Sequence, residues 1–182
     1  MALSEDAKPR NLIEVEPLTA DSFRPYGWLL GKAIRLDGSI PAFRNAETEF
    51  WEEHLFDPGV GGETQVLWVI YRNRRREVAS LEVHRLTQQA VVPLTGEIMQ
   101  VVAVSGEDGA PAMRSLRAFL VPVGEGICMR PGCWHATRVE CEEVKCMMLT
   151  RRSTTSDLVA YLTGGSLLCE SAVAVVRASL RV

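Results

Sequence analysis

The feature that most constrains the fold is a series of short β-forming segments, punctuated by glycine and proline, that begins near residue 65. These segments occupy residues 66–71, 78–84, 89–94, 98–104, 116–123, 126–129 and 144–149. Turn-forming residues separate them at 95–96, 106–111, 123–126 and 131–132. Glycine and proline favour tight turns, and no helix of useful length lies between the strands. The pattern therefore predicts an all-β barrel or sandwich of antiparallel strands, with only minor short helices.

The segments on either side of this series are less regular. In the N-terminal part, residues 13–18 and 28–30 are typical of short strands, and Thr19 is positioned to cap one helical turn. A chain of 182 residues is long enough to bury one core. We therefore expect a single domain over residues 1–182. Its core covers about 65–150, its N-terminal strands and loops cover 11–64, and its tail covers 151–182. Within the tail, residues 167–182 are compatible with a last helix or strand and indicate nothing about function.

Charge and composition exclude several classes of protein. The 20 basic and 23 acidic residues give a net charge of −3, so no overall positive field would attract a nucleic acid. The chain has no apolar segment of the roughly 20 residues that a membrane helix needs, and its first ten residues are polar. We expect a soluble, cytoplasmic protein with no nucleic-acid or membrane partner. The five cysteines include no Cys-x-x-Cys, so we expect reduced thiols, with Cys141 and Cys146 buried.

Polar side chains recur at two places in the predicted strands. Glu82 and His84 are two residues apart, so strand alternation places them on one face. A change of strand direction would let Gln89 join them from the next strand. A second segment at 131–135 combines a Pro-Gly turn with His135. Several inward-facing polar groups in one barrel favour a binding site. The alternative is a set of barrel-lining residues that bond only to each other.

These spacings resemble the two motifs of the cupin superfamily. In cupins, His-x-His is followed by a Glu after four intervening residues and a Gly after six more, and a later segment reads Pro-x-Gly-x-x-His. The corresponding residues here are Glu82, His84, Gln89, Gly96 and His135. The resemblance implies a double-stranded β-helix, a jelly-roll barrel whose interior holds a divalent metal on three histidines and one glutamate.

The set of metal ligands implied by this resemblance is altered in the present chain. Glu82 replaces the first histidine and Gln89 replaces the glutamate, while His84 and His135 are kept. Two imidazoles, a carboxylate and an amide oxygen still suit a first-row metal. The resemblance thus implies a possible site for nickel, zinc, manganese or iron, with Gln89 as the weakest donor.

Longer stretches narrow the resemblance to one family. The segments at 16–27, 82–84, 92–97, 116–119 and 126–135, within an overall match of about 14–165, look like the ureidoglycolate lyase family, also called ureidoglycolate hydrolase. The resemblance implies a cupin homodimer that splits ureidoglycolate into glyoxylate and urea during allantoin and purine breakdown. The chain departs from the family pattern at Arg85, Arg130 and Ala136, and at Phe50 or Trp51, where an arginine is expected.

The implied reaction assigns roles to particular residues. Glu82 is the candidate base, because burial in an apolar barrel is expected to raise its pKa towards the range useful for proton transfer. His84 or His135 would act as the acid, or would orient a metal if one is bound. The substrate carboxylate calls for a planar bidentate donor. We therefore single out Arg72, Arg117 and Arg130 as candidate substrate-binding residues, with Gln89 as a further polar contact.

Two other functions fit the same pattern. One is a metal-dependent isomerase, decarboxylase or dioxygenase that acts on a small carboxylate, since jelly-roll barrels host many chemistries. The other is a non-catalytic, ligand-binding cupin, which the altered residues Glu82, Gln89 and Ala136 make reasonable. Tightly bound redox metal would favour the first, and absence of turnover would favour the second.

Overall fold

The computed structural model describes residues 11–182 as a predominantly β structure. Its strands are β1 Asn11–Pro17, β2 Gly27–Leu30, β3 Ala42–Arg44, β4 Glu49–Trp51, β5 Thr64–Tyr71, β6 Glu77–His84, β7 Gln89–Pro93, β8 Ile98–Ala103, β9 Arg117–Val121, β10 Gly126–Met129, β11 Trp134–Arg138, β12 Val144–Arg151 and β13 Ser171–Arg181. The helices are α1 Ala20–Phe23 and α2 Arg152–Leu162, with a 3-10 turn at Met113–Ser115. In this part of the chain, neither α-helix has the length and apolar character needed to cross a membrane.

The central strands form one long β-hairpin, which is rolled up so that its successive strand pairs lie alternately in two facing sheets. Strands β8 and β9 pair at its tip, and β7 with β10, β6 with β11, and β5 with β12 continue the pairing away from it. Successive pairs alternate between a six-stranded closed sheet, ordered β1-β13-β6-β11-β8-β9, and a five-stranded sheet, ordered β2-β10-β7-β12-β5. This arrangement is the double-stranded β-helix that the sequence predicts, so the all-β cupin-type fold is confirmed.

Two apolar cores hold the sheets in place. The first lies between the sheets and includes Phe119 from the closed sheet and Ile127 from the five-stranded sheet. Phe23 of α1 packs edge-on against Phe119, with ring centroids 5.5 Å apart. The second core fills the closed sheet and includes Leu81, Val101 and Trp134. Because the first core fills only part of the space between the sheets, the rest is left for a cavity.

The N-terminal segment follows the predicted pattern closely. Thr19 caps α1, and its hydroxyl accepts a hydrogen bond of 3.2 Å from the Ser22 amide. Cys146 is buried, as expected, but Cys141 is exposed. The expectation for Cys141 is wrong because this residue lies in the loop before β12 rather than in the strand itself.

The C-terminal part contains the elements that the sequence did not define. The five-residue strand β11 follows the Pro-Gly turn directly and was not predicted as a strand, although it carries His135. The tail forms both a helix, α2, and the long strand β13. Strand β13 lies between β1 and β6 in the closed sheet, so the end of the chain is part of the barrel wall.

A glycine turn links the two motif segments. Gly132 has a φ of 79°, in the left-handed region that favours glycine. Its amide donates a 2.8 Å hydrogen bond to the carbonyl of His84, and the Cys133 amide donates a 3.1 Å bond to the carbonyl of Arg130. The turn that begins β11 is therefore fastened to the end of β6.

We expect Gly132→Ala to destabilise the fold through backbone strain. A Cβ atom at this position would meet only Ser105 Oγ at 3.7 Å, so crowding is not the cause. The left-handed conformation alone should cost roughly 1–2 kcal/mol, measurable by urea denaturation. Gly132→Asn should cost less, because asparagine tolerates this region better. Equal stability of wild type and Gly132→Ala would show that the left-handed conformation at this position causes no strain.

Candidate active site

Three ionisable side chains meet on the face of the closed sheet that looks towards the five-stranded sheet. Glu82 and His84 alternate along β6, so both point to this face. In the antiparallel pairing of β6 with β11, Glu82 lies directly opposite His135. The imidazole ring centroids of His84 and His135 are 5.2 Å apart, and the ring planes are inclined at 61° to each other. The structure therefore brings together the three residues that the motifs predict.

Hydrogen bonds fix the orientation of both histidines. His84 Nδ1 is 2.9 Å from the hydroxyl of Ser171, which lies opposite His84 in the pairing of β6 with β13. His135 Nδ1 lies 3.0 Å from the carbonyl oxygen of Cys133, and because a carbonyl only accepts, this nitrogen carries the proton. In the neutral ring the Nε2 atom of His135 then presents a lone pair.

The donor atoms of this cluster fit a metal ion. One ligand atom each from Glu82, His84 and His135 can be chosen so that all three lie within 4.8 Å of one another. His135 Nε2 is buried and has no hydrogen-bond partner among the described residues, although it lies 3.3 Å from Glu82 Oε1. Their separation suits an ion pair when the imidazole is protonated. A buried nitrogen left unpaired in this way is a natural metal ligand.

The surroundings set the charge states of Glu82 and His84. Burial, together with the smaller effect of the neighbouring His135, lowers the pKa of His84 to about 4, and the nearby Glu82 carboxylate offsets only part of this. Burial tends to raise the pKa of Glu82, but the two facing histidines outweigh this effect, so its pKa is lowered. The expectation of a raised Glu82 pKa is therefore wrong, because it considered burial without the partners. At neutral pH Glu82 is a carboxylate and His84 is a neutral imidazole.

A cavity of about 210 Å³ opens beside this cluster. It lies between the sheets, and its walls are formed by Leu67, Val69, Tyr71, Glu82, His84, Gln89, Met148, Thr150, Thr154, Thr155 and Leu158. This volume is below the roughly 300 Å³ at which drug-sized ligand pockets begin. The cavity therefore suits a small molecule, and Gln89 borders it as expected.

Several residues around the cavity escaped the sequence analysis. Helix α2 covers one side with Thr154, Thr155 and Leu158, and Ser171 of β13 supports His84. Both elements belong to the tail, which the sequence left without functional indication. The Thr150 hydroxyl is buried beside the cavity without a hydrogen-bond partner among residues 11–182. A threonine that alternates inward along β12 is the one signal that could have identified it.

The three candidate arginines lie away from the cavity walls. Arg72 bonds to Glu143, with Nη2 2.9 Å from Oε2. Arg117 forms an ion pair with Glu16 and its Nε donates to Glu16 Oε1 at 2.8 Å. The Arg130 guanidinium stacks 4.0 Å above the centre of the Trp28 ring. The structure does not bring any of them to the cluster.

The buried cysteines do not supply a nucleophile. Burial raises the pKa of Cys128 and of Cys133 to about 12, and that of Cys146 to about 11. These thiols stay protonated at neutral pH, and only a thiolate is strongly nucleophilic. The chemistry of the cavity therefore depends on the carboxylate and the imidazoles.

Two facing β-sheets with a histidine-carboxylate cluster between them define a cupin-type protein with a candidate metal centre. Sequence comparison narrows this class further, since the ureidoglycolate lyase family model matches residues 10–167. The chain belongs to the ureidoglycolate lyase family. The chain is 28% identical to a ureidoglycolate lyase of Brucella anthropi over 148 residues, covering 79% of this chain and 84% of that protein. It is 33% identical to one of Rhodobacter capsulatus over 132 residues, covering 66% and 74%.

Comparison with solved structures finds only weaker matches. RmlC from Streptococcus suis, in complex with dTDP-D-xylose, superposes with a TM-score of 0.42 and 13% identity, covering 60% of each chain. The WlaRB TDP-quinovose 3,4-ketoisomerase from Campylobacter jejuni superposes with a TM-score of 0.41 and 12% identity. The match covers 66% of this chain and 81% of the ketoisomerase chain.

We expect His135→Ala to remove bound divalent metal, because it deletes the unpaired nitrogen of the cluster. Elemental analysis of protein purified without chelator, and titration of the apoprotein with Zn²⁺ or Ni²⁺, would measure the effect. His54 provides a matched control, since it bonds to Gln88 and stacks on Trp28 outside the cavity walls. His54→Ala should retain the metal content of the wild type. Equal metal content in all three proteins would exclude this cluster as the site.

Proposed function

We propose that this protein is a ureidoglycolate lyase that cleaves ureidoglycolate into glyoxylate and urea. The observation that carries the proposal is the Glu82–His84–His135 cluster beside a cavity of about 210 Å³, in a chain of this family. A role in allantoin and purine breakdown and a cytoplasmic location stay predictions from the family resemblance.

The reaction needs one proton acceptor and one proton donor. Ureidoglycolate is a hemiaminal, so loss of its hydroxyl proton lets the oxygen form a carbonyl as the carbon–nitrogen bond breaks. The departing nitrogen takes a proton and leaves as urea. General acid–base groups must therefore lie on both sides of the bond that breaks.

Glu82 is the proposed proton acceptor. Its lowered pKa keeps it ionised at neutral pH, and its side chain is 39% exposed at the cavity. His84 is neutral because its pKa is about 4, so it is unsuited to donate a proton. His135 is the proposed donor to the urea nitrogen, because its Nε2 lies 3.3 Å from the Glu82 carboxylate. Glu82 can protonate His135 and so return the proton taken from the hydroxyl.

The same three residues would hold a divalent first-row ion, with Gln89 as a further oxygen donor beside the cavity. When bound, such an ion supplies Lewis-acid polarisation of the hydroxyl oxygen, which makes its proton more acidic. In that state the two histidines act as neutral ligands held by Ser171 and by the Cys133 carbonyl. The roles of Arg72, Arg117 and Arg130 in binding the carboxylate stay predictions, which their positions away from the cavity do not support.

We expect Glu82→Gln to lower kcat by about 10²–10⁴-fold, the usual contribution of a general acid–base group. The assay incubates metal-analysed protein with racemic ureidoglycolate and quantifies glyoxylate, urea and ammonia, with and without a chelator. Wild type should give glyoxylate and urea in equal amounts, without ammonia above the spontaneous background.

Glu140→Gln is the matched control for this variant, because the Glu140 carboxylate pairs with the exposed Arg76 and neither residue is a candidate for the site. It should leave turnover unchanged. Near-normal turnover in Glu82→Gln would remove Glu82 from the reaction. If the wild type forms no glyoxylate above background, the lyase proposal fails and a binding role or another cupin reaction takes its place.

We also propose that the protein forms a homodimer through the outer face of β5. Val66, Trp68 and Ile70 alternate along this face and are 63%, 66% and 40% exposed. Within residues 11–182, β5 pairs with β12 alone and ends its sheet, so its other edge has free backbone groups. Both features suit a second copy of this chain, because the uncharged edge strands of two copies can pair with each other across a two-fold axis.

Trp68→Lys should convert the dimer to a monomer, because it places a charge in the centre of this apolar face. Sedimentation velocity at several protein concentrations would measure the change. Val175→Lys is the control, since Val175 is 88% exposed on β13 in the other sheet. It should keep the dimer. A wild-type protein that stays monomeric at high concentration would overturn the proposal.

A further inference from the structure

Thr150 is a buried polar residue on the wall of the cavity opposite the histidine–carboxylate cluster. It alternates inward along β12 of the five-stranded sheet, whereas the cluster lies on the closed sheet. Leu149 is paired with Ala90 of β7, and continuing this register by one residue puts Thr150 beside Gln89. The cavity therefore has a charged wall and a neutral polar wall, with Leu67, Val69 and Met148 as further lining residues.

The Thr150 hydroxyl is unusual because it lacks a hydrogen-bond partner in the described part of the chain. The neighbouring threonines of α2 are satisfied: Thr154 Oγ1 donates to Glu170 at 2.5 Å, and Thr155 Oγ1 accepts from Gln65 Nε2 at 2.5 Å. A buried hydroxyl without a partner destabilises the fold, and a valine would fill the same space without this penalty. A ligand in the cavity would supply the missing partner.

The two walls match the two ends of the proposed substrate. The hydroxyl group of ureidoglycolate suits the cluster, because the ionised Glu82 is the proposed proton acceptor. The ureido group at the other end carries a carbonyl acceptor and N–H donors. A threonine hydroxyl can both donate and accept, so it can pair with either. In a cavity of this size, a small ligand with one end at the cluster directs its other end to the facing wall.

We infer that Thr150 binds the ureido group of the substrate and so selects ureido compounds over other small hydroxy acids. This inference rests on the proposed lyase function. Thr150 would act as a specificity-determining residue that holds the leaving group in place, while proton transfer stays with Glu82 and His135. Gln89, its neighbour in the register, is suited to share the contact through its amide.

The test compares Thr150→Val with Thr150→Ser. Two probes separate the ends of the substrate: oxalurate, which carries a ureido group and a carboxylate, and glycolate, which carries only the hydroxyl and carboxylate. Dissociation constants from calorimetry should show that Thr150→Val weakens oxalurate binding by about five- to tenfold, the value of one hydrogen bond. Glycolate binding should stay unchanged. Thr150→Ser keeps the hydroxyl and should bind oxalurate within about twofold of wild type.

Thermal unfolding distinguishes a ligand role from a structural one. Thr87 is also buried, but its hydroxyl donates to the Gln88 carbonyl at 2.7 Å, so Thr87→Val should lower Tm. Thr150→Val should leave the Tm of the ligand-free protein unchanged or raise it, because it removes an unpaired polar group. A loss of Tm as large as that of Thr87→Val would show a structural role and overturn the inference.

Turnover and KM measurements on wild type and Thr150→Val distinguish failure of this inference from failure of the proposed function. If wild type cleaves ureidoglycolate but Thr150→Val keeps its KM and its oxalurate affinity, the assignment of Thr150 is wrong and the lyase proposal stands. If wild type neither cleaves ureidoglycolate nor binds oxalurate, both fail. A raised KM with a preserved oxalurate preference over glycolate would overturn the selective role.

Discussion

The antiparallel register of β6 is the constraint on which the rest of the site depends. Strand β6 lies between β13 and β11, and this pairing sets Glu82 opposite His135 and His84 opposite Ser171. A slip of one residue would turn Glu82 and His84 to the other side of the sheet. The Gly132 amide, bonded to the His84 carbonyl, resists such a slip from the neighbouring turn. One register therefore places the carboxylate, both imidazoles and a supporting hydroxyl.

The sequence predicted what depends on local spacing and missed what depends on distant contacts. Alternation along β6 placed Glu82 and His84 on one face without knowledge of the rest of the chain. Ser171 supports His84 from 87 residues away, and no local pattern marks that pair. The pKa of Glu82 was misjudged for the same reason, since burial follows from a strand pattern while the opposing charges come from facing strands. Strand β11 was missed because it begins right after a turn.

The arginines illustrate the limit of arguing from residue type. A guanidinium group suits a carboxylate in general. In this structure, however, two of the candidate arginines already have carboxylate partners within the protein: Arg117 pairs with Glu16, and Arg72 pairs with Glu143. Tyr71, the last residue of β5, borders the cavity, whereas Arg72 follows the end of the strand and is not among the lining residues. A small cavity with apolar side walls leaves recognition to its charged cluster and its few neutral polar groups.

The position of the last strand has a consequence for how the chain is made. Strand β1 runs parallel to both β13 and β9 and pairs with each, so the barrel is closed only when β1 has joined both of these strands. During synthesis β1 can pair with β9 once residue 121 has emerged, but its edge towards β13 stays open until residues 171–181 follow. Ser171 also belongs to that last strand, so His84 gains its support at the same moment. Without residues 171–181 the chain would have neither a closed barrel wall nor the Ser171 contact that orients His84, so one strand serves both the fold and the site.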